Sequence, residues 1–269
     1  MSTVVIKGKT IIQGTTVMGS QAVGVVTSGQ VLYYDFGNGS CYSGSGTTVN
    51  DLSGNANGAT LTGSPTLTYS STTGGIMTYP TTNTTGYFTT AAATTINDLT
   101  ALTVNLWINP TTIVANPFFY KSDNNSVQGW FCGMETNIPT AVNGICFSKV
   151  LSTTNLRYAV DMSSMTAATW AMVTITFDGV APAVTAPNVH IYLNTVELTT
   201  VTKTANGIGT YSSDAAQPLY CGRCDASTTT GADLGDFNGS QGVTQLYNRV
   251  LTTGEISQNF NAVRARYGL

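Results

Sequence analysis

Residues 101–110 of this chain read ALTVNLWINP, and residues 170–179 read WAMVTITFDG. In both stretches apolar side chains alternate with polar or bulky ones, the period of two that is typical of a half-buried strand. Residues 189–194, VHIYLN, repeat the pattern after a turn signal at Asp178-Gly179. The spacing of these strands favours an antiparallel sandwich, and no stretch has the strand–helix rhythm of a parallel sheet. We therefore predict an all-β, antiparallel jelly-roll sandwich.

The composition agrees with this fold and restricts the partners. The chain has 269 residues, enough for one large sandwich, and only 9% of them are charged, with a net charge of −3. Its basic residues are scattered, whereas nucleic-acid binding needs a basic stripe that neutralises phosphates. No apolar run approaches the ~20 residues of a membrane span, and the N-terminal residues do not read as a signal peptide. We expect neither nucleic acid nor a membrane as a partner.

The first 29 residues differ from the rest because they contain no aromatic side chain. Their apolar residues form short clusters separated by glycines, and these clusters include Val4, Ile6, Ile11 and Ile12. Large side chains are too few to build a core, so we predict an extended arm over residues 1–29 and a folded domain over residues 30–269. The arm either folds back onto the domain or adds strands to a neighbouring subunit.

One helix is predicted, at the C-terminal end. Thr252 and Glu255 have the spacing of a capping box, with Thr252 as the N-cap. Ile256, Phe260 and Val263 follow at intervals that place them on one helical face. We expect this face to cap the sandwich.

The chain has five cysteines, an odd number in a sequence without a secretion signal, which favours reduced thiols. They are Cys41, Cys132, Cys146, Cys221 and Cys224. The spacing of Cys221 and Cys224 suits a redox pair or half of a zinc site, but no second pair accompanies it. We predict structural thiols, with a functional pair as the alternative.

Several segments resemble, in order, the laminin-G-like branch of the concanavalin A-like lectin/glucanase superfamily. They are the opening strand at 32–37 (LYYDFG), the first long loop at 43–55 (SGSGTTVNDLSGN) and the strands at 102–110, 170–179 and 189–194. The ending NFNA at 259–262 is similar to the tails of phage virion proteins. The resemblance runs from residue 31 to residue 269 and implies a jelly roll with a short C-terminal helix. Asn194-Thr195 departs from the pattern, because relatives have Asn-Gly in this two-residue turn.

The glucanase members of the superfamily carry Glu-x-Asp-x-x-Glu on one strand, which places two carboxyls ~5 Å apart for retaining hydrolysis. This chain has only three glutamates, Glu135, Glu197 and Glu255, and none lies within four residues of another carboxylate. The single histidine, His190, has no acidic residue near it in sequence. We predict that the protein is not an enzyme.

An oxygen-rich loop is the candidate metal site. Asp51, Asn55 and Asn57 lie between glycines that permit tight turns, and Asp236 could approach from the C-terminal segment. Carboxylate and carbonyl oxygens on such a loop suit Ca²⁺, which related domains often bind at loops of this kind. The alternative is that the Asp and Asn side chains form turns that stabilise the loop without a metal.

A glycan site would need an exposed aromatic platform beside amide and carboxylate groups. Tyr120 and Trp130, together with Phe131, flank a loop that carries Asp123 and Asn125. This hairpin is the candidate glycan-binding site. The alternative is that Trp130 belongs to the core, the commoner position of an aromatic residue in a strand.

These observations lead to two expectations for function. The first is a non-enzymatic phage virion surface protein, a capsid decoration or fibre, whose arm binds sister subunits and other virion proteins. The second is an adhesin module of a tail fibre that binds a cell-surface glycan or receptor, with calcium as its cofactor. In both cases we expect a homo-oligomer, with a trimer as the expected state, that is made in the host cytoplasm.

Overall fold

The computed structural model describes residues 4–6, 9–11, 24–63, 67–79, 86–91, 93–122, 128–135, 144–179, 183–184, 188–223 and 237–269. The strands are β1 Val4–Ile6, β2 Lys9–Ile11, β3 Gln30–Asp35, β4 Thr48–Val49, β5 Ala59–Thr62, β6 Thr68–Ser70, β7 Ile76–Thr78, β8 Tyr87–Thr90, β9 Ala101–Pro110, β10 Asn116–Ser122, β11 Gly129–Glu135, β12 Gly144–Lys149, β13 Leu156–Asp161, β14 Ala171–Asp178, β15 Ala183–Val184, β16 Val189–Leu193, β17 Val196–Glu197, β18 Val201–Ala205, β19 Gly207–Ile208, β20 Leu219–Cys221 and β21 Gly239–Tyr247. The helix α1 spans Thr253–Val263, and short 3-10 helices span Thr72–Gly74, Thr94–Ile96 and Arg264–Tyr267.

Two antiparallel sheets form the body. The nine-stranded sheet has the order β18-β13-β12-β11-β10-β20-β8-β5-β4. The eight-stranded sheet has the order β17-β16-β14-β9-β21-β7-β6, and β3 also pairs with β21. The predicted all-β jelly-roll sandwich is thus confirmed, and the alternating stretches that indicated it are β9, β14 and β16.

The core lies between the two sheets, and it is formed by the apolar side chains that alternate with polar ones along the strands. Leu102, Val104 and Leu106 of β9 face Trp130 and Phe147 of the other sheet within one cluster of buried side chains. Because consecutive residues of a strand point to opposite faces, each strand also places a second set of side chains on an outer face. Those two outer faces carry the candidate sites described below.

Helix α1 covers part of the outer face of the eight-stranded sheet. The predicted capping box is confirmed, since the Thr252 hydroxyl accepts from the Glu255 N–H and the Glu255 carboxylate accepts from the Thr252 N–H. Arg249 also donates to both oxygens of Glu255, and mainly for this reason the pKa of Glu255 is lowered to about 2. Phe260 stacks on Trp107 with ring centroids 5.5 Å apart, so the helix seals an outward-facing tryptophan.

The N-terminal segment begins as a hairpin. Strands β1 and β2 pair with each other, with Val4 opposite Ile11, and with no further strand among the described residues. Ile12 lies outside the described residues. Further along, Val26 N–H donates to Asn259 Oδ1 at 2.8 Å, and its carbonyl accepts from Tyr247 at 3.0 Å. Residues 24–29 therefore contact the body, so the predicted arm of residues 1–29 includes a segment that is bound to helix α1.

The turn between β16 and β17 keeps the two-residue length of its relatives. Leu193 pairs with Val196, and both turn residues have positive φ, 48° at Asn194 and 76° at Thr195. A β-branched residue in this region is strained. The cross-strand hydrogen bonds between Asn194 and Met172 hold the turn in place.

Candidate functional site

The outer face of the nine-stranded sheet carries three aromatic side chains on adjacent strands, which we call the aromatic row. Tyr220 of β20 is paired with Tyr120 of β10, and Tyr120 is paired with Phe131 of β11. Directly paired residues of antiparallel strands point to the same face about 5 Å apart, so the three rings line up across the strands. Phe131 packs on Cys146 and Ala159 and not in the main core, which assigns this face to the outside of the sandwich.

Ring contacts fix the geometry of the aromatic row. Tyr120 and Phe131 are stacked, with centroids 6.2 Å apart and planes 30° apart. Tyr220 contacts Tyr87 of β8 at 5.7 Å, and the guanidinium of Arg223 lies 4.9 Å above the Tyr87 ring. Tyr120 is only 4% exposed and supports the row, whereas Tyr220 and Phe131 are half-buried and present ring surface.

Beyond Phe131 the same line of pairing continues through Ser148 to Arg157. Arg157 lies 6.0 Å from the centre of the Phe131 ring and forms an ion pair with Glu135. The positive charge at this end of the row is therefore balanced by a carboxylate, and the rest of the line is uncharged. The row offers aromatic faces with hydroxyl groups beside them.

The structure places two residues of the predicted glycan site on opposite faces of the sheet, which corrects the prediction for Trp130. Tyr120 belongs to the aromatic row, as an outward-facing residue. Trp130 does not, because it is fully buried and faces the core with Cys132 and Met134. Asp123 and Asn125 lie outside the described residues. The aromatic partner of Tyr120 is Phe131, the neighbour of Trp130 in sequence, because the strand alternation turns these two rings to opposite faces.

The predicted metal loop is held by hydrogen bonds. Asp51 Oδ1 accepts from the N–H groups of Tyr33 and Ser53, at 2.8 and 2.9 Å. Its Oδ2 accepts from the Ser53 hydroxyl at 2.7 Å and from Asn57 N–H at 3.0 Å. Both oxygens thus accept from donors of the loop and of strand β3, the arrangement expected when an aspartate stabilises a turn.

The side-chain N–H groups of Asn55 and Asn57 in the same loop also have partners, whereas the Asn57 Oδ1 atom is buried without one among the described residues. Asn55 Nδ2 donates to the carbonyl of Gln30 at 3.0 Å, and Asn57 Nδ2 donates to Thr95 at 2.8 Å. Asp236 lies outside the described residues. Within the described part of the chain, no cluster of three or more His, Cys, Asp or Glu side chains is placed to hold a metal ion. Calcium binding at this loop stays a prediction.

Two carboxylates share the outer face of the nine-stranded sheet near the aromatic row. Glu135 and Asp161 flank Gly144 along one line of pairing, so two strand spacings, about 10 Å, separate their backbones. Arg157 donates to Glu135, and Ser163 donates to Asp161 through its N–H at 2.8 Å and its hydroxyl at 3.1 Å. Each of these two carboxylates therefore has a partner of its own, Arg157 for Glu135 and Ser163 for Asp161.

His190 and Glu197 are close in the structure although they are separated in sequence. Nδ1 of His190 lies 2.7 Å from Glu197 Oε1 across the β16–β17 hairpin, and both side chains are more than 40% exposed. None of the hydrogen bonds among the described residues joins this histidine to a Ser, Thr or Cys side chain. Acyl transfer requires a nucleophilic side chain hydrogen-bonded to its base. The hydrogen bonds of His190 among the described residues do not include such a partner.

A buried charged cluster lies at one end of the sandwich. Lys121 Nζ is 3.4 Å from Asp214, and both side chains are fully buried. Asp98 and Asp214 exchange hydrogen bonds, each backbone N–H donating to the other carboxylate at 2.8 and 2.9 Å. Lys149 is 1% exposed and lies over the Tyr211 ring, and burial lowers the pKa of Lys149 to about 8. The cluster joins two loops to the sheet.

The thiols are structural in the part of the chain that the structure describes. Cys41, Cys132, Cys146 and Cys221 are all buried and outside any disulfide, and burial raises the pKa of Cys132 to about 12. A thiol with so high a pKa is a poor nucleophile and metal ligand. Cys224 lies outside the described residues, so a Cys221–Cys224 pair stays a prediction.

The chain belongs to the concanavalin A-like lectin/glucanases superfamily. The laminin G family model of that superfamily (Laminin_G_3) matches residues 82–257, which include β8 to β21 and the start of α1. The family resemblance found in the sequence is confirmed at this level. Among curated proteins, none matches the chain by sequence.

Solved structures share the fold at low sequence identity. Domain 4 of the extracellular arabinanase AbnA from Geobacillus stearothermophilus, solved with arabinotriose, has a TM-score of 0.52 at 14% identity, covering 86% of this chain and 97% of that domain. The binding domain of botulinum neurotoxin serotype D/C has a TM-score of 0.54 at 13% identity and covers 88% of this chain. This chain spans about half of the toxin domain, 53% of its length.

A second toxin structure gives the same result. It is a structure of botulinum neurotoxin type C, a toxin whose cell entry is described as dependent upon interaction with two ganglioside molecules. The TM-score is 0.53 at 12% identity, and the match covers 88% of this chain and 52% of that one. The identity in each case is low enough that the likeness concerns the fold. The protein is a lectin-like jelly-roll domain.

No helix among the described residues is long and apolar enough to cross a membrane.

Proposed function

We propose that this protein is a non-enzymatic carbohydrate-binding module and that the aromatic row is its glycan-binding surface. The observation that carries the proposal is the line of Tyr220, Tyr120 and Phe131 across three adjacent strands on an outer sheet face. Aromatic rings on a folded surface are costly to keep in water, so an ordered set on one face favours a role in contact.

The chemistry of the row suits a sugar. The C–H groups on one face of a sugar ring pack against an aromatic ring, while its hydroxyls bond to polar groups at the edges. Ring surface is available at Tyr220 and Phe131, and the phenol of Tyr220 and the guanidinium of Arg157 lie beside it. Four strand spacings, about 19 Å, separate β20 from β13, a length suited to a short oligosaccharide lying across the strands.

The first probe is arabinotriose, because the arabinanase domain with this fold was solved with it. Titration calorimetry with the wild type, Phe131→Ala and Phe131→Leu separates ring contact from packing. Leucine still covers Cys146 and Ala159 but removes the aromatic face. We expect both variants to bind at least about tenfold more weakly, a loss of about 1.4 kcal/mol. Val196→Ala, at a side chain that is 67% exposed in β17, the edge strand of the other sheet, is the control and should bind like the wild type.

Maltotriose and cellotriose are the other two probes, and they differ from arabinotriose in ring size and linkage. Binding of any of the three that is lost in both Phe131 variants supports the aromatic row. Binding that is unchanged in both variants contradicts it. Repeating the titration with EDTA tests the predicted calcium dependence, and turnover of the sugars during the titration would contradict a non-enzymatic role.

We further propose that the module is displayed on a phage virion and that its N-terminal residues attach it there. The hairpin of β1 and β2 supports this, because an isolated two-stranded hairpin gains little stability until its free edge pairs with another sheet. Light scattering of the full chain and of a chain lacking residues 1–23 tests attachment between sister subunits. A discrete oligomer, such as the expected trimer, that becomes a folded monomer on truncation supports the proposal, and two monomers contradict it.

A further inference from the structure

The outer face of the eight-stranded sheet carries a second ordered line of side chains, on the opposite side of the sandwich from the aromatic row. We call it the tryptophan row: Trp170, Asn109, Ser240, Thr78 and Thr68. Ser240 is paired with both Asn109 and Thr78, and Thr78 is paired with Thr68. Ala171 is paired with Ile108, so Trp170, one residue earlier, lies next to Asn109.

Trp170 is the aromatic end of this row, and its ring is supported from behind. It stacks on Tyr267 with ring centroids 4.2 Å apart and planes 24° apart. Tyr267 in turn lies 5.0 Å from Trp107, which is fully buried under helix α1. Trp170 itself remains partly exposed. Because the stack restrains the indole, ligand contact would cost little side-chain entropy.

The rest of the row supplies hydrogen-bonding groups without charge. The hydroxyls of Thr78 and Ser240 are 2.8 Å apart and bonded to each other. The amide of Asn109 is half-buried and makes no side-chain hydrogen bond within the described part of the chain. A primary amide offers two donors and an acceptor, which suits a pair of neighbouring hydroxyls on a ligand. Thr68 ends the row as an exposed hydroxyl.

We propose that the tryptophan row is a second saccharide-binding surface that takes a neutral sugar, with the sugar ring on Trp170 and its hydroxyls on Asn109. An uncharged ligand is expected because the row has no charged side chain. Arg266 and Asp35, which lie on this side of the sandwich, are paired with each other in two hydrogen bonds. The inference adds a site to the proposed function and does not depend on the aromatic row.

The two rows lie on faces that point away from each other, and the core of the sandwich separates them. Stacked sheets are about 10 Å apart, so one short oligosaccharide cannot contact both faces. The protein would therefore bind two sugars independently. Displayed in several copies, it would gain avidity from the second site without any new contact between subunits.

The tryptophans give a direct measurement. The chain has three of them, and Trp107 and Trp130 are fully buried, so Trp170 alone presents its indole to solvent. In a ¹H–¹⁵N spectrum of the full chain, the indole signal absent from Trp170→Phe identifies Trp170. We expect that signal to shift saturably with at least one of arabinotriose, maltotriose and cellotriose, while the Trp107 and Trp130 signals stay in place.

Variants then test the assignment. Asn109→Ala removes the amide and leaves the Trp170–Tyr267 stack, and it should weaken binding about tenfold, the value of a lost hydrogen bond or two. Asn261→Ala removes an exposed helix amide and serves as the matched control. In Phe131→Ala the Trp170 shift should persist with unchanged affinity.

Three outcomes would overturn the second site. They are a Trp170 signal that moves with none of the three sugars, a shift that disappears in Phe131→Ala, and a shift unaffected by Asn109→Ala. A shift at Trp170 that persists while the Phe131 variants bind like the wild type would instead support this site and contradict the aromatic row.

Discussion

Arg266, three residues from the C-terminus, forms two parallel hydrogen bonds with Asp35 at the end of β3. Nη1 lies 2.5 Å from Oδ1 and Nη2 lies 3.0 Å from Oδ2. Asp35 also accepts from the Tyr33 hydroxyl at 3.2 Å and from Gly37 N–H at 2.9 Å. The pair thereby joins the last turn of the chain to the first strand of the body, and it fixes Tyr267 beneath Trp170.

The stem of Arg266 passes so close to Gly74 that this position should tolerate no side chain. A Cβ at Gly74 would lie 1.8 Å from Arg266 Cγ, whereas a Cβ at Gly46 would meet nothing within 4 Å. Both glycines have positive φ, 76° and 81°, so alanine costs about 1–2 kcal/mol of backbone strain at each. We expect Gly74→Ala to lower the free energy of unfolding by about 2 kcal/mol more than Gly46→Ala, measured by urea denaturation. Equal losses would show that Arg266 is free to move aside.

Thr195 should be more stable as glycine, because its φ of 76° suits glycine and strains a β-branched residue. We expect Thr195→Gly to raise the free energy of unfolding by about 1 kcal/mol, from the relieved strain less the entropy of the more flexible unfolded chain. Thr199→Gly, at an exposed loop position without positive φ, is the control and should lower it by about 0.5–1 kcal/mol. A loss of stability in both variants would contradict the interpretation.

Lys149 should make stability depend on pH above neutrality. Desolvation by burial lowers its pKa to about 8, whereas the unfolded chain keeps a pKa near 10.5. Between these values the unfolded state binds more protons, so the free energy of unfolding rises with pH. A shift of this size corresponds to about 3 kcal/mol when complete.

The measurement compares the wild type with Lys149→Met, which cannot titrate. We expect the methionine variant to be more stable at pH 7 and its advantage to shrink as the pH passes from 7 to 9.5. The buried thiols have raised pKa values, which lower stability in the same pH range. Their contribution is the same in both chains, so it drops out of the difference between them. A difference that stays constant with pH would show that Lys149 keeps its proton in the folded protein up to pH 9.5, and so that burial does not lower its pKa.

The point of truncation should matter at the N-terminus. Removing residues 1–23 leaves the contacts of Val26 and Ser28 with Asn259, Tyr247 and Arg249 intact. Removing residues 1–29 leaves the buried Asn259 and Tyr247 without these partners and should cost about 2 kcal/mol or more. Thermal unfolding of both truncated chains checks this. Equal midpoints would mean that residues 24–29 contribute nothing to the stability of the body.

Much of the fold could be read from local pattern, because its causes are local. Strands β9, β14 and β16 follow from the alternation of apolar residues, and the start of α1 follows from the Thr252–Glu255 capping box. Positions three or four residues apart on a helix, or two apart on a strand, are neighbours whatever the rest of the chain does. The scattered basic residues led to the prediction that the protein does not bind nucleic acid, and this stays a prediction.

The faces and the long-range pairs required the tertiary structure. Tyr120 and Trp130 were predicted to share one site, but Trp130 faces the core and Phe131 faces outward. The prediction failed because the alternation of a strand does not by itself show which of its two faces is buried. Tyr220, a hundred residues from Tyr120, became its neighbour only when β20 paired with β10. Thus the sequence by itself determined the strands, the helix and the sandwich class. Which rings and amides share a surface was decided by sheet pairing, since that depends on contacts between distant parts of the chain.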